Sequence, residues 1–142
     1  MRIEMGYLED LRERGREANP FFGLMGIEVV SFGGGEATLA MEVRTDMLNG
    51  AGWLQGGVYA ALADEAMALA LFTLLDGEET IATISETTSY FSGICEGRIF
   101  STGKVARRGR QVAFTEGRVM AKSADGPVLS KTTASFSIIR RG

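Results

Sequence analysis

Two carboxylates, Asp64 and Glu65, are the only charges in a run from Val58 to Leu75 that is otherwise almost wholly apolar. A carboxylate held there without a partner is strongly disfavoured in its ionised form, so it must pair, reach a cavity or titrate upward. A carboxylate that reaches a cavity can attack an acyl carbon or take a proton from water. Gly56 and Gly57 open the same run. At a helix start the first N–H groups have no intrahelical acceptor, and the helix dipole adds partial positive charge. Such an end can polarise a carbonyl and hold an oxyanion, an interaction worth about 3–4 kcal/mol per donor. Glycine there lets a ligand approach the backbone.

The chain has no His, which excludes imidazole-based triads and Cys/His zinc sites, and its one Cys excludes an intramolecular disulfide. Any general base is then a carboxylate, a Lys, a Tyr or a water. With 15 Lys+Arg against 18 Asp+Glu the net charge is −3, so nothing draws the chain as a whole to nucleic acid or to an anionic membrane. The start, Met1-Arg2-Ile3-Glu4, lacks the apolar core of a secretory signal, and the expected location is cytoplasmic. The length of 142 residues fits one domain.

The elements that must position these groups follow from periodicity. Residues 1–18 carry Ile3, Tyr7, Leu8 and Leu11 on one helical stripe among charges, which predicts an amphipathic helix closed by the turn signal Asn19-Pro20. Residues 25–43 alternate about Gly33-Gly34-Gly35 and read as a hairpin. Residues 56–75 read as one long helix. It has the length of a membrane span, but its central acidic pair makes wrapping by protein the better reading. Residues 80–91, 98–107, 111–122 and 128–139 read as four strands in hairpin succession. Six strands with one buried helix inserted after the second exclude a doubly wound fold and predict an α+β antiparallel sheet curled around that helix.

That order, with Asn49, Gln55-Gly56-Gly57 and Leu62-Ala63-Asp64, resembles the hotdog-fold acyl-CoA thioesterases of the phenylacetic-acid-degradation type. Their pattern is Asn, five residues, His-Gly-Gly, four residues, then Leu-Ala-Asp. Asn19-Pro20-Phe21-Phe22, the strand ending in Tyr90, the Val105 to Arg110 turn and Ala124-Asp125-Gly126 extend the similarity over nearly the whole chain. Two positions depart from it: Gln55 stands where the family has His, and Ser92-Gly93 replaces a Pro-containing turn.

The resemblance implies thioester hydrolysis with Asp64, rather than Glu65, as nucleophile or base, and Gly56 and Gly57 at the substrate carbonyl. It implies that Asn49 and Thr83 orient the water or the carboxylate. Gln55 either donates to the thioester carbonyl or caps the helix. No metal or cofactor is expected, coenzyme A being part of the substrate. Lys104, Arg107, Arg108 and Arg110 gather positive charge at one turn, which reads either as a site for the phosphates of coenzyme A or as a solvated turn. Trp53, Tyr59, Phe72 and Phe91 suggest an aromatic or short- to medium-chain acyl group. The alternative function is a non-catalytic acyl-CoA binding or sensing module, supported by the Gln55 change.

Geometry adds a constraint of its own. Gly56 and Asp64 are eight residues apart, about 12 Å along a helix axis, too far to touch one acyl carbon. Two helices laid antiparallel about a two-fold axis would bring Asp64 of one chain to Gly56 of the other. A homodimer, or a dimer of two such dimers, is therefore expected.

Overall fold

The computed structural model describes residues 6–141, so Ile3 of the expected first stripe lies outside the described residues. Helix α1 spans Tyr7–Arg14 and buries Leu11. It does not continue to residue 18 as expected: Gly15, at φ +58°, breaks it, and Gly15–Ala18 form a 3-10 turn. The Asn19-Pro20 pair was expected to close a helix and instead opens one. Helix α2, Pro20–Met25, has Pro at its first position, where no N–H is needed, and Asn19 as its cap. Gly26, at φ +73°, ends it in the left-handed conformation.

Strands β1 (Glu28–Gly33) and β2 (Glu36–Val43) form the expected hairpin, with Gly34 and Gly35 at positive φ in the turn. Helix α3 spans Gly56–Phe72, three residues short of the expected end. Thr73 stops it: its hydroxyl donates to the Ala70 carbonyl at 2.6 Å and accepts from Gly35 N–H at 2.7 Å, tying the helix end to the β1–β2 turn. Four strands follow, β3 (Glu79–Tyr90), β4 (Gly97–Arg108), β5 (Val112–Ala121) and β6 (Val128–Arg140).

All pairings are antiparallel, and the order in the sheet is β1-β2-β4-β5-β6-β3. The expected hairpin succession therefore fails at its first step. β3 does not pair with β4; it crosses over α3 to the far edge beside β6, and β4 returns to β2. The crossover is what wraps the curved sheet around the helix, which is the hotdog arrangement.

The helix lies close on the sheet because the contacting residues are small. Ala63, Ala66 and Ala70 are fully buried, and Gly103 and Gly117 face each other across β4 and β5. A Cβ on Gly103 would overlap the Ala66 carbonyl, and one on Gly117 would lie 3.1 Å from Met67 Cγ. Ser101 Oγ donates to the Leu62 carbonyl at 3.1 Å, joining β4 to α3 at the same level. The apolar circumference of α3 is thereby covered by sheet on one side and by the N-terminal segment on another, where Tyr7 meets Phe72 edge to face at 4.9 Å. Among the described residues no helix is long and apolar enough to cross a membrane.

Candidate active site

Asp64 projects from the middle of α3 toward the edge strand β3, where Thr83 Oγ1 donates to its Oδ1 at 3.0 Å. Thr83 sits opposite the buried Phe136 of β6, on the face of β3 that looks at the helix. Alternation should turn residue 86 away from that face, since it is three positions on. A bulge prevents this: the register shifts between Thr83 and Ser85, so Ile84 is the extra residue and Glu86 pairs with Ala134 on the inner face. Glu86 thus joins Asp64 and Thr83. Partial burial, then a hydrogen bond to Asp64 and the charge of Asp64, push the Glu86 carboxyl up to about 7.

Beyond Glu86 the same face carries Thr88, bonded to the buried Thr132 hydroxyl at 2.8 Å, and Tyr90. Tyr90 fastens the end of β3 to the start of α3. Its hydroxyl donates to the Gly56 carbonyl at 2.7 Å and its ring meets Tyr59 edge to face at 5.6 Å. The N–H groups of Gly56 and Gly57 point out of the first turn, as at any helix start.

Gln55 stands at the cap position, but its side chain makes no capping hydrogen bond. Its amide folds over the first turn instead, its Oε1 only 2.7 Å from where a Cβ on Gly57 would lie. Glycine at 57 leaves room for that amide. Asn49 is not joined to Asp64. Its Oδ1 accepts from Ala51 N–H at 2.9 Å and Trp53 N–H at 3.1 Å, stapling the loop that leads into α3. The Trp53 ring covers Gly93, where a Cβ would lie 3.1 Å from Cε3, so the glycine at the departure from the family's Pro turn accommodates this indole.

The basic turn lies at the other end of α3. Val105 N–H donates to Gly35, which is tied to Thr73, and Arg108 reaches Glu79 just after the helix. Arg108 is committed there: it forms an ion pair with Glu79, whose side chain is only 4% exposed, and also donates to the Gly109 carbonyl at 2.9 Å. Hydrogen bonds from the Asp76 N–H and from Arg108 hold the Glu79 carboxyl below the usual range. Lys104, Arg107 and Arg110 are exposed.

Glu65, the other central carboxylate, turns the opposite way, toward the N-terminal segment. Asn19 serves three elements at once. Its Oδ1 accepts from the Phe21 and Phe22 N–H groups, its Nδ2 donates to the Tyr7 hydroxyl at 2.7 Å, and it bonds the Glu65 carboxylate. Burial, then the charge of Asp64, push Glu65 up to about 7 against the lowering effect of Asn19. Burial likewise pushes the Tyr7 hydroxyl up to about 12, with the Asn19 bond opposing and the Glu65 charge adding. The apolar helix therefore holds its two acids by separate polar partners on separate faces. No cluster of three or more Cys, Asp or Glu able to hold a metal occurs among the described residues.

The chain is matched by the family model of the thioesterase superfamily over residues 51–127, more than half its length, covering the loop, α3 and the strands through β5. The chain belongs to the thioesterase superfamily. It is a thioester hydrolase by class. Rv1847 of Mycobacterium tuberculosis, whose name proposes an esterase, is 27% identical over 95 residues, spanning 65% of this chain and 68% of that protein. A mutant of the phenylacetic acid degradation protein PaaI from Thermus thermophilus is 29% identical with a TM-score of 0.76, covering 84% of this chain and 98% of that one. The thioesterase HI1161 from Haemophilus influenzae has a TM-score of 0.82 at 20% identity over 96% of this chain and 93% of its own, which speaks for the shared fold.

The sequence pattern marks the strand ending in Tyr90 but does not single out Glu86 as a neighbour of this site. Counting alternation back from Tyr90 would have put 86 and 88 on the helix face, but the same count excludes Thr83, and Ile84 is not a residue that advertises a bulge.

Proposed function

We propose that this thioesterase hydrolyses acyl-CoA esters with small aromatic or short- to medium-chain acyl groups, using Asp64 at a site shared between two protomers. One observation carries the reading. Asp64, in an otherwise apolar helix, is aimed at β3 and oriented by a neutral donor, Thr83 at 3.0 Å, rather than being neutralised by an ion pair among the described residues. Oriented in this way, the carboxylate attacks the thioester carbonyl or takes a proton from the attacking water, and the C–S bond then breaks to release the thiol. The Gly57 N–H and the Gln55 amide are the donors suited to the carbonyl oxygen. No cofactor is required, because water supplies the only other reactant.

Three features support a second protomer. Asp64 lies about 12 Å along the axis from Gly56. β3 is a twelve-residue edge strand with one unpaired side, the kind of edge that pairs with another strand. Ile84, Tyr90 and Phe91 on or beside it are 56%, 51% and 60% exposed in the isolated chain, apolar area that an interface would cover. Antiparallel apposition of two α3 helices would set Asp64 of one chain near Gly56 of the other. It would also carry the other chain's basic turn to the same end, where Arg107 and Arg110 can hold phosphates of coenzyme A. Arg108, already paired with Glu79, is not among the proposed phosphate ligands. The exposed Trp53 and Phe91 suit a flat or apolar acyl group.

The test is a panel of acyl-CoAs, including benzoyl-, phenylacetyl-, butyryl- and hexanoyl-CoA, assayed for thiol release with wild type and Asp64→Asn. Turnover of at least one ester that falls roughly 10²-fold in the variant is the expected result. Equal turnover in both proteins would refute the assignment of Asp64.

A further inference from the structure

The bulge at Ile84 has a chemical consequence. It is the only reason that Thr83 and Glu86, three residues apart on one strand, share the face that meets Asp64. Two carboxyl groups in hydrogen-bonding contact need a proton between them, since two carboxylates have no donor to offer. The other titratable groups around the pair cannot supply it. Glu65 on α3 is turned to Asn19 and Tyr7, and Tyr90 on β3 spends its hydroxyl on Gly56. Lys131 of β6 pairs with Ser89, on the outer face of the sheet. Tyr59 on α3 lies against Tyr90 at the helix start. In a chain without His, a carboxyl that holds its proton near neutrality is the available donor.

We infer that Glu86 is a positioning residue of the active site: as the protonated member of a carboxyl pair it donates a hydrogen bond to Asp64, and with Thr83 it fixes Asp64 as the ionised, correctly aimed carboxylate. The inference rests on Asp64 being the reactive group. Its consequence is an alkaline limb. When Glu86 loses its proton, two negative charges face each other, Asp64 loses a donor, and its orientation relaxes. The pair titrates as a unit, so the limb belongs to the pair rather than to either acid.

The experiment compares wild type, Glu86→Gln, Glu86→Leu and Asp64→Asn on the best ester of the panel, between pH 5.5 and 9, with melting curves to confirm folding. Wild-type kcat/KM should fall as pH rises through about 7. Glu86→Gln retains an N–H donor that cannot titrate. It should keep at least half of the activity seen at pH 6 and lose the alkaline limb. Glu86→Leu should be about tenfold slower at pH 6. A limb that persists unchanged in Glu86→Gln, an inactive Glu86→Gln, or a fully active Glu86→Leu would overturn the inference. Asp64→Asn separates the two readings: activity in that variant refutes the role of Asp64, while its loss beside an unaltered Glu86→Gln profile refutes Glu86 alone. A readout independent of turnover is the carbon-13 signal of the Glu86 carboxyl, assigned by its disappearance in Glu86→Gln so that it is not confused with Glu65. Its midpoint should lie near 7 in wild type and fall toward the ordinary glutamate range in Asp64→Asn. A midpoint near the ordinary value in wild type would overturn the shared proton.

Discussion

Glu65→Gln should stabilise the protein at alkaline pH and leave it unchanged at acid pH. The folded chain binds the Glu65 proton more tightly than the unfolded chain, with a carboxyl pushed from 4.5 up to about 7, chiefly by burial. Between these two values the unfolded chain has already released its proton while the folded chain keeps it, so raising pH favours unfolding. The contribution is fully present below about 4.5 and lost as pH climbs through 7. At 1.36 kcal/mol per unit the loss is about 3 kcal/mol at pH 8.5, or roughly 2 kcal/mol once residual solvent contact is allowed for. Gln accepts the same Asn19 hydrogen bond without a charge, so the variant escapes this penalty. Thermal melts should show wild type and variant together at pH 4, and the variant higher by about 4–8 °C at pH 8.5. The difference between the two proteins is the quantity to follow, because the lowered Glu28 and Glu79 act in the opposite direction at acid pH and cancel in it. A constant gap from pH 4 to 8.5 would refute the burial of Glu65 against Asn19 and Tyr7.

Arg107→Ala should raise KM for coenzyme A esters with little change in kcat or melting temperature, and esters of a truncated thiol lacking the nucleotide should be indifferent to it. Arg108→Ala should instead lower the midpoint of urea denaturation, because Glu79 loses its shortest ion pair and keeps only the Asp76 N–H and the more distant Arg140. Gly103→Ala should be among the worst single-methyl additions in the chain, about 2 kcal/mol or more, because the Cβ meets the Ala66 backbone. Gly23→Ala, with nothing within 4 Å and a helical position, should be neutral or stabilising in the same assay.

The parts of the fold that depend on local pattern were legible in the sequence: the glycine hairpin, the long Ala-rich helix and four strands whose bounds fall within two residues of those observed. The helix ends were less so, because they are set by particular partners. Gly15 breaks α1, and Thr73 stops α3 by bonding a turn 38 residues away. Asn19-Pro20 is ambiguous by nature, since Pro disfavours helix in the residue before it and favours helix starting at itself. The strand order could not be read from consecutive turns, because β3 pairs with β6 at the far edge of the sheet and not with its neighbour in sequence. At the site, Thr83 was named through a family resemblance and is joined to Asp64 in the structure, whereas Asn49 is joined to its own loop. Glu86 was hidden because a bulge without glycine leaves no mark on alternation. Arg108 was read as a free cation because its partner, Glu79, lies 29 residues earlier.

The shared site is tested most directly by subunit complementation. Gly56→Val and Asp64→Ala homodimers should each be nearly inactive; a Cβ at Gly56 lies 3.5 Å from the Tyr90 ring, ordinary contact, and melting curves check that the larger Val side chain leaves the first variant folded. Refolded together in equal amounts, half of the dimers are mixed, and each mixed dimer combines one intact site with one doubly damaged site. Thiol release should return to about a quarter of the wild-type rate. No recovery, with both variants folded and subunit exchange confirmed, would contradict a site built from Asp64 of one protomer and the helix start of the other.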